Sequence, residues 1–150
     1  MTDYDTTVSG GGTIGHPANV SRPYVVVSKV FDAADQNLSA NDQVMVIDVP
    51  DDTIVIGGMI DVIEAGGSGL TYDVGLSTDI DVFCDGIDGN TAAINAFNIK
   101  AAGINLTQAA DKIQVKALGA GVTAGRFRVI AVMADVSNGP TETATDSSGT

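Results

Sequence analysis

The chain has 150 residues, a formal net charge of −12, 44% hydrophobic residues, 18 glycines, one cysteine and no tryptophan. That length holds one domain with a real core, and the apolar share excludes a largely disordered chain. No apolar run approaches bilayer length, the first residues lack the basic region of an export signal, and so acidic a surface repels polyanions, so neither membrane nor nucleic acid is expected as a partner.

Aspartate outnumbers glutamate 17 to 2, and the residues that usually coat helices (Glu, Lys, Leu, Arg) are scarce. Asp, Asn and Gly instead start turns and end strands. An all-β domain is expected.

In chain order, residues 1–22 read as a flexible arm, because Thr6 to Thr13 has no hydrophobic period and contains a glycine triplet. Residues 23–136 read as the β-domain. Tyr24 to Phe31 is β-branched and extended, and Val44 to Val49 is apolar on both faces and ends at Pro50-Asp51-Asp52. Thr53 to Glu64 is a long strand with a bulge or bend expected at Gly57-Gly58. Leu70, Tyr72, Val74 and Leu76 alternate with Thr71, Asp73 and Gly75. Ile80 to Cys84 reads as a helical turn between Asp79 and Gly86, and Ala92 to Ile104 as a short strand with loops. Ile113, Val115 and Ala117 alternate with Lys112, Gln114 and Lys116, and Phe127, Val129, Ala131 and Met133 with Arg126 and Arg128. The glycine-rich stretch from Gly119 to Gly125 is expected to join these last two strands as a hairpin. Residues 137–150 read as a flexible Ser/Thr/Gly tail. Asn41 to Val46 and Ala110 to Val115 look like one turn-into-strand device used twice.

Catalytic chemistry is not visible. The only histidine, His16, sits in the arm, away from the rigid setting a general base needs. Cys84 has no basic or histidine neighbour in sequence and reads as a small core residue. No catalytic residue, cofactor or obligatory metal is expected. The densest polar run, Asp79 to Asn90, fails the EF-hand template because Phe83 takes a ligand position and no glutamate closes the loop. An irregular calcium site would draw on Asp79, Asp81, Asp85 and Asp88; turn and cap formation is the competing use of these aspartates. Lys112, Lys116, Arg126 and Arg128 fall on the outward faces of the last two strands. They either balance carboxylates across the sheet or form a basic stripe for an acidic partner.

The stretch Thr71-Tyr72-Asp73-Val74-Gly75-Leu76 leading into Asp79-Ile80-Asp81-Val82-Phe83, with the later Ala110 to Val115 strand, glycine-rich turn and closing strand to Val132, resembles the head decoration, or cement, proteins of tailed bacteriophages. The resemblance runs over about Tyr24 to Val136; the arm is not part of its pattern. It implies an antiparallel β-sandwich of jelly-roll type, without catalytic residues, that sits on the capsid outer surface of the virion and stabilises it by bridging subunits. The implied partner is the major capsid protein, and a homo-oligomer, a trimer in preference to a dimer, is expected. A tail or fibre component and a carbohydrate-binding β-sandwich are the alternatives; the second wants exposed aromatic residues, which this chain barely has.

Overall fold

The computed structural model describes residues 23–99, 105–107 and 109–136. The expected arm (1–22) and tail (137–150), with His16, lie outside them. Among the described residues ten strands follow one another: β1 (Pro23–Val27), β2 (Phe31–Asp32), β3 (Gln43–Val49), β4 (Thr53–Glu64), β5 (Thr71–Leu76), β6 (Asp79–Asp88), β7 (Ala93–Ala96), β8 (Asn105–Thr107), β9 (Asp111–Leu118) and β10 (Arg126–Asp135).

They form two antiparallel sheets. The first has the order β1-β10-β4-β7, with β2 on β10 and β8 on β4; the second has the order β3-β9-β5-β6. With β2 and β8 set aside, chain-successive strands cross between the layers at every step but the β5–β6 hairpin, as in a double Greek key, so the expected β-sandwich is of jelly-roll type. Period-two alternation puts Phe127, Val129, Ala131 and Met133 of β10 and Ile113, Val115 and Ala117 of β9 on facing inner surfaces, all buried. Aromatic rings join the layers: Phe83 of β6 stacks on Phe97 at 4.7 Å, and Tyr72 of β5 meets Phe127 of β10 at 5.0 Å. Gly58 is glycine for want of space, because a Cβ there would lie 2.5 Å from both the Phe97 ring and the Ile130 carbonyl. The expected irregularity falls beside it: Val132 lies opposite Gly57 and Met133 opposite Val55, which leaves Ile56 as the extra, bulged residue.

Three expectations are corrected. The stretch from Ile80 to Cys84 is not a helical turn but the middle of β6. Register shifts against β5 bury the consecutive Phe83 and Cys84, and that break in alternation hides the strand. β3 is not apolar on both faces: a shift between Met45 and Ile47 buries Ile47 and Val49 and leaves Met45 and Asp48 exposed at a sheet edge. Finally, β9 and β10 do not pair. They lie in opposite sheets, and Gly119–Gly125 crosses between layers, held by a bridge from Val122 to Leu38. Each of these strands has one wholly apolar face, and facing one another across the core buries both. The repeated device does come together: Val44 lies opposite Val115 and Met45 opposite Gln114.

Candidate functional site

The two outer faces of the sandwich differ. On the first sheet, outward positions of neighbouring strands are in register: Val25 lies opposite Val132 and Val132 opposite Gly57; Val27 lies opposite Ile130, Ile130 opposite Met59, and Met59 opposite Ala96. These rows make a continuous apolar surface where an antiparallel sheet facing water normally carries polar side chains. It is exposed at its margins, with Val25 62%, Val27 53% and Ile94 65% accessible. Ile94 also helps line a shallow depression of about 530 Å³ beside Arg128. A patch of this kind on a water-exposed sheet is a candidate interaction surface.

Charge borders this surface and is internally balanced. Arg126 Nε donates to Glu64 Oε2 at 3.0 Å and Arg128 Nε to Asp61 Oδ2 at 3.0 Å, each pair directly opposite across β10 and β4. The second sheet's outer face is polar. There Lys112 of β9 pairs with Asp48 of β3 directly across the ladder, and Lys116 lies in register with Gln43 and Asp73. The four basic residues expected to share one stripe therefore divide between opposite faces, because β9 and β10 belong to different sheets. Three of them, Lys112, Arg126 and Arg128, form an ion pair with the carboxylate opposite, the balancing role weighed above.

The aspartates of the expected calcium run are spread along β6 and its end. Asp79 shares a hydrogen bond with Asp81, which holds its carboxyl above the usual range. Asp88 accepts from Thr91 and from the Asn90 amide (2.8 Å), which lowers its pKa and closes a turn. Asp85 is exposed on the strand. Among the described residues no three His, Cys, Asp or Glu side chains gather as metal ligands would. Cys84 is buried, and desolvation, helped by the Asp73 charge, pushes its thiol up to about 11.

Two polar residues of the second sheet escaped the sequence reading. Asp73, 7% exposed, accepts the Gly86 amide at 2.8 Å and pins the irregular β5–β6 pairing. Gln114 points outward yet is only 5% exposed. Asp73 carried a sequence signal, since aspartate is disfavoured inside a strand; Gln114 carried none, being one polar residue in a regular alternation.

No known family pattern and no curated protein matches the sequence. The fold does have counterparts. A chain of the cyanophage Pam1 capsid asymmetric unit superposes with a TM-score of 0.62 at 14% identity, over 89% of this chain and 99% of that one. A chain of the capsid of Ralstonia phage GP4 gives 0.54 at 16% identity, over 79% and 86%. The sandwich is therefore a fold found, at nearly the same chain length, in the capsids of two bacteriophages.

Proposed function

We propose that the chain is a structural protein of a tailed-phage virion that decorates the capsid exterior and stabilises it by bridging subunits of the major capsid protein. The observation that carries this reading is the apolar outer face of the first sheet, on a fold shared with capsid chains of like size. Burial of such a surface supplies most of the contact energy, at about 25 cal/mol per Å² of apolar area. Many identical copies make a modest single contact strong in aggregate. The paired Arg126 and Arg128 form the rim of this contact and set its orientation, because exposed ion pairs add little energy of their own. Lys112 and Lys116 occupy the other face and play no part in it. The role asks no catalysis and no metal of the chain.

The test is sedimentation of purified protein with undecorated particles. Saturable binding at a fixed ratio to the major capsid protein, together with a raised disruption temperature of the particle, is the expected result. A Val25→Asp, Ile94→Asp double variant, altered only at exposed positions, keeps its β-type circular dichroism and loses occupancy. Unchanged occupancy by that variant, or no sedimentation of the wild type, defeats the proposal. Light scattering on the free protein reads whether it is the expected trimer.

A further inference from the structure

On the opposite face, over β3 and β9, lies a cleft of about 420 Å³ whose walls include Met45, Val49, Pro50 and Ala110, with Gln114 among its lining residues. Its charged neighbours are already satisfied. Lys112 is paired with Asp48, and the Asp111 carboxylate accepts from the Ser77 hydroxyl and from the Lys112 amide at 2.7 Å. Gln114 is the exception: 95% of the residue is out of solvent, and among the described residues its carboxamide has no hydrogen-bond partner. A carboxamide offers one acceptor and two donors, which match the N–H and C=O of a peptide group. Apolar walls, neutralised charge and a spare amide suit an uncharged peptide segment with one aliphatic side chain.

We infer that this cleft receives the chain's own amino-terminal run, with Ile14 against the apolar walls and the neighbouring peptide groups on Gln114. Thr6 to Gly15 carries no charge, in a chain whose net charge is −12, and Ile14 stands between Thr13 and Gly15. Glycine beside the anchor lets the backbone approach closely. The reach is sufficient. Pro23 lies opposite Ala134 and Ala134 opposite Ile54, two strand spacings or about 10 Å. Ile54 to Pro50, at the cleft wall, adds at most about 14 Å of chain. The nine-residue step from Pro23 back to Ile14 spans about 30 Å when extended. Occupation of the cleft fastens the arm to the face away from the proposed capsid contact.

The experiment uses the full chain, free of particles, so its outcome is separate from that of the capsid proposal. Cysteines are placed in pairs that leave Ile14 intact, Thr13→Cys with Met45→Cys at the cleft and Thr13→Cys with Val25→Cys on the other face; Met45 and Val25 are 65% and 62% exposed, and Cys84 is buried. Under mild oxidation the cleft pair closes within one chain at least fivefold faster than the control pair. Adding Gln114→Ala cuts that advantage at least twofold, and circular dichroism checks that the fold persists. Equal rates for the two pairs, cross-links formed between chains, or indifference to Gln114→Ala overturns the inference.

Discussion

Replacing Tyr72 with phenylalanine tests the account of the core through the sign of its effect. Tyr72 is fully buried on β5, its ring lies 5.0 Å from that of Phe127, and its hydroxyl finds no hydrogen-bond partner among the described residues. Tyr72→Phe keeps the ring contact and deletes one polar atom. An unpaired buried hydroxyl costs about 1–3 kcal/mol, so the variant gains about 1 kcal/mol or more, a rise of about 2–4 °C in melting temperature for a domain of this size. Burial also pushes the phenol from 10.0 to about 12. The folded state therefore holds the proton more tightly than the unfolded chain, so this contribution is complete below pH 10 and is lost as the pH rises toward 12. The variant's advantage accordingly grows above pH 10. Urea denaturation followed by circular dichroism at pH 7 and pH 10.5 measures both effects. A loss of 1 kcal/mol or more at pH 7 refutes the reasoning, because the hydroxyl then has a partner whose bond the variant breaks.

Gly58→Ala is expected to destabilise by about 1–3 kcal/mol, the usual cost of overpacking, since the new methyl meets the Phe97 ring and a backbone carbonyl; a denaturation midpoint equal to wild type would contradict it. The Cys84 thiol, raised to about 11 by burial, is expected to resist a disulfide reagent at pH 8 until denaturant is added. It also adds to alkaline sensitivity above pH 9, where the unfolded thiol ionises first. Burial raises the Asp111 carboxyl, but hydrogen bonds from Ser77 and the Lys112 amide outweigh it and leave the pKa lowered. Its stabilisation is present above about pH 4 and is lost as the pH falls through the lower folded value. Asp111→Asn should flatten that acid limb in denaturation curves between pH 5 and pH 2.

The strands whose alternation is regular were legible in the sequence. Leu70, Tyr72, Val74 and Leu76 share a buried face, and β10 alternates as read, because one side chain in two meets the core. Where bulges shift the register, at Phe83-Cys84 and around Met45, the period vanishes and so does the signal. Pairing was the deeper failure. Alternation says that Ile113 and Phe127 point inward, but it does not say whether their strands lie side by side or face to face. The basic stripe depended on that choice and separated with it. Likewise, the apolar rows of the first sheet come from Val25, Ile130 and Met59, far apart in sequence and joined only by register. Gln114 becomes conspicuous only once its burial is known.

The first and last strands of the sandwich are neighbours, with Pro23 opposite Ala134 in an antiparallel ladder. Tension applied between residues 23 and 136 would thus act at one end of that ladder and load its hydrogen bonds one after another, peeling β1 away at low force. Tension between either residue and the broad outer face of the first sheet would instead be shared by many bonds at once. A subunit held across that face resists a mechanical load that the same subunit, strung by its two ends, would not.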